Sequence, residues 1–273
     1  MQIMNLGFIG AGRMATALAK GCVEARMTPG ASITASDPSA AACEAFAKAV
    51  EGVQVTPDNQ AVLASADAVV LAVKPQTMAA VLADLRPHVE SRHLIISIAA
   101  GVTLSRLAAG LPAGARLVRV MPNTPCLIGL GSSCYSRGGA ATSADAALVE
   151  KLLSSVGSVH EVEEAKLDAV TGLSGSGPAF VYTVIEALAE GGVAAGLPPQ
   201  LALKLAAETA RGAAAMLLAT GRSPADLRDQ VSSPGGTTVA GLAALDRLDA
   251  AGAIRAAVEA AAKRSIELGQ ASS

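Results

Sequence analysis

The sequence predicts an α/β chain in two parts: a Rossmann-type, doubly wound parallel sheet over residues 1–163, then an all-α half over residues 164–273. Three observations predict it. Short apolar runs alternate with helical segments as far as Val162, and a glycine turn, Gly10-Ala11-Gly12, joins the first run to the first helix. Beyond Glu163 the strand signals stop, and helical segments rich in alanine and leucine take over. Strands alternating with helices argue for a parallel sheet with right-handed crossovers.

At 273 residues and 51% apolar content, the chain can give each part its own core. Mean hydropathy is +0.45, but alanine supplies most of it. Apolar runs such as Ala68 to Val73 fall far short of the ~18 residues a membrane-spanning helix needs, so no membrane association is expected. No basic leader with a long apolar stretch opens the sequence, which favours the cytoplasm. A net charge of −2, three Phe, two Tyr and no Trp lack the basic excess and aromatic platforms of a nucleic-acid binder. Cys22, Cys43, Cys126 and Cys134 form no C-x-x-C pair, and His88, His93 and His160 stand apart from them. Neither a metal site nor a disulfide framework is expected.

In chain order, Ile3 to Ile9 reads as a strand and Met14 to Ala25 as a helix. Between them Gly10 makes the tight turn, Gly12 lets a pyrophosphate approach the backbone, and Ala15 keeps the helix close to the sheet. The free N–H groups at the helix start supply the attraction, so this junction predicts dinucleotide binding. A second strand, Ser32 to Ser36, ends at Asp37, 22 residues beyond Ala15. There a carboxylate either accepts hydrogen bonds from ribose hydroxyls and repels a 2′-phosphate, or caps the helix that begins near Ser39. A third strand lies around Val53 to Thr56. The run Asp67 to Val73 has the continuous apolar character of a strand buried on both faces. It stops at Lys74-Pro75, which puts a cation at the strand's carboxyl end; Lys74 serves the ligand there or is a solvated loop residue.

Leu94 to Ile98 repeats the strand pattern and ends in Ala99-Ala100-Gly101, small enough for a ring to come close. Gln76 to Leu85 and Thr103 to Leu111 read as helices, and Arg116 to Val120 as a sixth strand. A capped helix from Thr142-Ser143 to Gly157 and a last strand, Ser158 to Val162, complete the first part. The second part reads as the helices Phe180 to Val193, Pro198 to Leu218, Pro224 to Val231, Thr238 to Leu248 and Ile254 to Leu268. Five such helices cannot cover all their apolar surface in one small bundle, so a protomer–protomer interface is expected. Two segments, Gly172 to Pro178 and Val231 to Thr238, place serine, glycine and proline just before a helix. Each predicts a row of unpaired N–H donors flanked by hydroxyls, suited to a small carboxylate.

These motifs together resemble the Δ1-pyrroline-5-carboxylate reductases. The resemblance runs nearly end to end, through Gly7 to Gly12, Ala72 to Pro75, Ser97 to Thr103, Asn123-Thr124-Pro125, Leu173 to Ala179 and, most specifically, Val231 to Thr238. It implies an NADPH- or NADH-dependent enzyme that reduces a cyclic imine to L-proline, the last step of proline biosynthesis. It also implies a homodimer, with each active site between one protomer's cofactor and the other's helices, and assembly of dimers into a larger ring. Cofactor contacts are implied at Ile9, Gly10, Ala11, Gly12, Arg13, Met14, Asp37, Asn59, Ala72, Val73, Lys74, Pro75, Ile98, Ala99 and Ala100. Substrate contacts are implied at Glu164, Ser233, Gly235, Gly236, Thr237 and Thr238. Asp37 departs from the Ser, Thr or Asn of many members, and Gln230 from the Asn of some.

The reaction needs a hydride, a proton on nitrogen and a fixed carboxylate, and no metal. Thr238 is the catalytic candidate, by orienting the ring nitrogen or relaying a proton, because a threonine hydroxyl is too weak an acid to be the proton source. Two other readings share part of this pattern. A 3-hydroxyacid dehydrogenase shares the glycine turn, but no lysine follows Gly177 until Lys204. A non-catalytic NAD(P)-binding module has no need of the two Ser/Gly/Pro segments.

Overall fold

The structure is a computed structural model of the chain and describes residues 4–270. Eight strands make one sheet: β1 (Leu6–Ile9), β2 (Ile33–Ser36), β3 (Gln54–Thr56), β4 (Ala68–Leu71), β5 (Leu94–Ser97), β6 (Arg116–Met121), β7 (Gly131–Gly139) and β8 (Gly157–Glu161). Their order is β3-β2-β1-β4-β5-β6-β7-β8. The chain winds outward from β1 in both directions, so the switch point lies between β1 and β4, where open α/β sheets hold ligands. Every residue of β1, β4 and β5 is buried, as continuous apolar runs require when helices cover both faces.

Helices α1 (Arg13–Glu24), α2 (Ala40–Ala49) and α6 (Ser143–Ser154) cover one face, with Phe8, Leu18, Ile33, Phe46, Val149 and Leu152 in a single cluster. The rings of Phe8 and Phe46 lie 5.9 Å apart. Helices α3 (Asn59–Ser65), α4 (Met78–Leu85) and α5 (Leu104–Gly110) cover the other face around Ile9, Val62, Leu71, Leu82 and Leu107. Capping residues set several of these starts: Ser39 accepts from Ala42 N–H, Asp58 from Gln60 N–H and Thr103 from Arg106 N–H. At α6, Thr142 and Asp145 form a reciprocal capping box.

The sheet is wider than the sequence predicts. Strand β7 runs antiparallel to β6, and β8 is parallel to β7. The segment Gly131-Ser132-Ser133-Cys134-Tyr135-Ser136-Arg137-Gly138-Gly139 has no apolar run, so its extended form comes from pairing with β6 and β8 and from one large buried side chain, Tyr135. That ring's hydroxyl donates to Glu150 Oε1 at 2.8 Å on α6.

One expectation is overturned. Gly172 to Pro178 is not a turn before a helix: the chain runs from α7 (Leu167–Val170) through a π-helical turn, Thr171–Gly175, into α8 (Gly177–Ala194). Ser176 N–H donates to Thr171 O at 2.8 Å, and Ser174 Oγ to Val170 O at 3.1 Å, so these groups are spent inside the helix. The end of the Met121 side chain lies where a Cβ at 175 would project, so the glycine lets Met121 pack close to this turn.

The chain forms two compact units, residues up to 176 with those from 260 onward, and residues 177–259. The second unit contains α8, α9 (Pro199–Thr220), α10 (Pro224–Gln230), α11 (Thr237–Arg247) and the first part of α12 (Ala250–Gln270). Its own core is small, with Ala189, Ala202 and Ala206 packed with Ile185 where α8 meets α9. Tyr182, Leu188, Leu203, Met216, Leu218 and Leu248 are each more than half exposed. Such an apolar surface marks an interface rather than a solvated face. Among the described residues, no helix is long and apolar enough to cross a membrane.

Candidate active site

The sequence-predicted cofactor residues converge at the carboxyl edge of the sheet. Gly10 has φ +96°, and a Cβ there would lie 2.7 Å from Ala72 O, so no other residue fits the turn. Gly10 N–H donates to Ser36 O at 2.8 Å, and Ala72 N–H to Ile9 O at 2.8 Å, which ties the ends of β2 and β4 to that of β1. Gly12 is different. It is the N-cap of α1 with no side-chain cap, and a Cβ there would meet nothing within 4 Å. The chain itself does not require glycine at 12; the open space lies beside the uncapped start of a helix.

Asp37 stands across from this start. Its Oδ2 accepts from Ala11 N–H at 3.0 Å and its Oδ1 from Ser39 N–H at 2.9 Å. Capping of α2 falls to Ser39, and Asp37 instead couples the end of β2 to the glycine turn. Asn59, the first residue of α3, accepts at Oδ1 from Ser36 Oγ (2.7 Å) and donates through Nδ2 to Asp84 Oδ2 (3.0 Å). Lys74 is exposed after β4, with no carboxylate partner among the described residues. Ile98 N–H donates to Leu71 O at 3.1 Å, so Ile98 to Ala100 leave β5 beside the end of β4.

Glu164 is held within a charge cluster. Its Oε1 accepts from Leu104 N–H at 2.6 Å and from Arg119 Nη1 at 3.1 Å. Arg119, on β6 and 3% exposed, also reaches Asp168 Oδ1 at 3.4 Å, and Ser265 Oγ on α12 donates to that oxygen at 2.7 Å. Sequence reasoning missed Arg119, Asp168 and Ser265. The signal was an arginine inside the apolar strand Arg116 to Val120, since a buried guanidinium must find acceptors. Those acceptors, Glu164 and Asp168, lie 45 and 49 residues away in sequence, and Ser265, which donates to Asp168, lies 97 residues beyond that carboxylate.

Ser233 to Thr238 belong to the second unit. Gly235 has φ +69°, and Gly236 N–H turns back to Ser233 O at 2.9 Å, so Gly236 is not among the free donors. Gly236 is the N-cap of α11 without a side-chain cap, which leaves the N–H groups of Thr237, Thr238 and Val239 with no acceptor among the described residues. No group of three or more His, Cys, Asp or Glu side chains among the described residues is placed to hold a metal ion.

Residues 164–268 match the family model for pyrroline-5-carboxylate reductase dimerisation, and residues 5–101 that for an NADP oxidoreductase, coenzyme F420-dependent. The pyrroline-5-carboxylate reductase of Glycine max is 47% identical over 97% of this chain and 96% of its own length. The chain belongs to the pyrroline-5-carboxylate reductase family. The Methanosarcina acetivorans reductase is 43% identical, over 99% of this chain and all of its own. The crystal structure of Plasmodium falciparum pyrroline carboxylate reductase with NADP bound superposes with a TM-score of 0.89, at 34% identity over 98% of this chain and 99% of that one. The likeness to these reductases spans both the Rossmann sheet and the helical half.

The Arg119 cluster yields a stability prediction. Replacing one partner of a buried ion pair leaves the others uncompensated, and Glu164 and Asp168 are 32% and 25% exposed, which softens the cost. Arg119→Met is expected to destabilise the protein by about 2–4 kcal/mol, read as a Tm lowered by roughly 5–10 °C. An unchanged Tm would show that the guanidinium carries no net stability.

Proposed function

We propose that this chain is a pyrroline-5-carboxylate reductase that converts 1-pyrroline-5-carboxylate to L-proline with NADH or NADPH, the last step of proline biosynthesis. The observation that carries the reading is one chain's possession of two uncapped helix starts. One stands at the carboxyl edge of the Rossmann sheet, the other follows Ser232-Ser233-Pro234-Gly235-Gly236. A non-catalytic module has no use for the second, and the dehydrogenase reading lacks its lysine between Gly177 and Lys204.

The residues present fit a dinucleotide, because the open space above Gly12 is what a pyrophosphate would fill. The nicotinamide cofactor supplies the hydride when bound. Arg13, Met14 and Ala15 present the first N–H groups of α1 to the diphosphate, with Ile9, Gly10 and Ala11 forming the turn beneath. Asp37 and Asn59 serve the adenosine side, Ala72 to Pro75 the wall between, and Ile98, Ala99 and Ala100 a surface small enough for the nicotinamide ring. The N–H groups at the start of α11 hold the substrate's carboxylate, with Ser233, Gly235 and Gly236 shaping the loop before them. Thr238 places its hydroxyl by the ring nitrogen. Glu164, fixed through Oε1, offers its other oxygen to the substrate. Rate enhancement then comes mainly from alignment of the two rings rather than from a strong acid.

Dimerisation through residues 164–273 completes each site with the partner's helices, consistent with the apolar side chains exposed on α8 and α9. Assembly of such dimers into a larger ring is part of the same reading. Four free cysteines, three of them buried, fit a reducing cytoplasm.

Three outcomes test this reading. The pure protein should oxidise NADH or NADPH only when pyrroline-5-carboxylate is added; absence of substrate-dependent loss of the reduced cofactor's absorbance with both would refute it. Asp37→Ser removes a charge opposed to a 2′-phosphate and should raise the preference for NADPH over NADH roughly five- to tenfold. An unchanged ratio of the two kcat/KM values would confine Asp37 to its bonds with Ala11 and Ser39. Thr238→Val keeps the shape and removes the hydroxyl, so kcat/KM should fall about ten- to a hundredfold with NADH affinity intact. Normal turnover in a less stable protein would make Thr238 a structural residue only.

A further inference from the structure

Asn59 is implied as a cofactor contact, but a carboxamide is useful only when its oxygen and nitrogen are assigned to fixed directions. Rotation by half a turn exchanges acceptor for donor at almost no steric cost. Asn59 Oδ1 accepts from Ser36 Oγ at 2.7 Å, and Ser36 is fully buried at the end of β2. A hydroxyl both donates and accepts, so Ser36 tolerates either orientation of the amide. On the other side, Asn59 Nδ2 donates to Asp84 Oδ2 at 3.0 Å, and an ionised carboxylate can only accept. Asp84 is the one partner that decides which way the amide faces.

Asp84 is itself held in place. It projects from α4, and its Oδ1 accepts from Gln60 Nε2 at 3.2 Å, the residue next to Asn59 on α3. Ser36 carries the chain of contacts to the glycine turn, since its carbonyl accepts from Gly10 N–H at 2.8 Å. A hydrogen-bonded line therefore runs Gly10, Ser36, Asn59, Asp84, across the ends of β1 and β2, the start of α3 and the last turn of α4.

We propose that Asp84 is a positioning residue for cofactor binding, acting through Asn59 by fixing the amide so that its second N–H and the remaining lone pair of Oδ1 face the cofactor in one assignment. The proposal rests on the reading of Asn59 as a cofactor contact. Asp84→Ala places a strong helix former on α4, so the fold is retained while the amide loses its determinant. Affinity is read directly by fluorescence titration of the intact protein with NADH, alongside steady-state kinetics. Asp84→Ala should weaken NADH binding about three- to tenfold, the effect of one mis-set hydrogen bond, with kcat within about twofold. In an Asn59→Ala background the same substitution should change nothing further, because its route is gone. Asp84→Ala without effect, beside a weakened Asn59→Ala, would overturn the positioning role and leave the contact standing. Additive losses in the double variant would also overturn it, by showing that Asp84 acts independently. Unchanged NADH affinity in Asn59→Ala would remove the contact itself, and the proposal with it.

Discussion

The turn at Gly10 is the constraint on which the rest of the nucleotide half depends. Strand β1 sits in the middle of the sheet with β2 and β4 on either side, and the chain must leave it without striking Ala72, whose carbonyl would lie 2.7 Å from a Cβ at position 10. A positive φ solves the problem, and only glycine takes it at no steric cost. Once made, the turn sends Gly10 N–H to Ser36 and Ala11 N–H to Asp37. The start of α1 is then left uncapped over open space. The strand ends, the acid at the end of β2 and the bare helix start are consequences of one backbone conformation.

The helical half obeys a different constraint. Alanine at 189, 202 and 206 lets α8 and α9 approach closely, but small side chains bury little apolar surface, and larger ones such as Leu188 and Leu203 are left outside. A unit built this way leaves apolar surface available for association. The dimerisation match over residues 164–268 gives that surface its purpose.

The parts of the fold legible in the sequence are those dictated by local periodicity. Strands β1, β4 and β5 are continuous apolar runs, and the glycine turn has a spacing that few other structures need. Strand β7 was hidden because its nine residues are mostly small or polar, and its pairing with β6 is a tertiary fact. The segment Gly172 to Pro178 misled for a related reason: its glycine and serine residues resemble a loop, while Gly175 serves close packing against Met121 inside a π turn. In the site, the single residues Asp37, Asn59 and Glu164 could be pointed to by spacing and resemblance. Their partners could not, because Ala11 to Asp37, Asn59 to Asp84 and Arg119 to Glu164 span 26, 25 and 45 residues with no periodic signal.

The central claim is that two uncapped helix starts, on α1 and α11, hold the two anionic reactants. A crystal structure of the assembled protein with NADH and L-proline tests it most directly. The account predicts the dinucleotide's diphosphate against the N–H groups of Arg13 to Ala15, and the proline carboxylate against those of Thr237 to Val239. A proline carboxylate bound away from the start of α11, or a diphosphate away from Gly12, would contradict it.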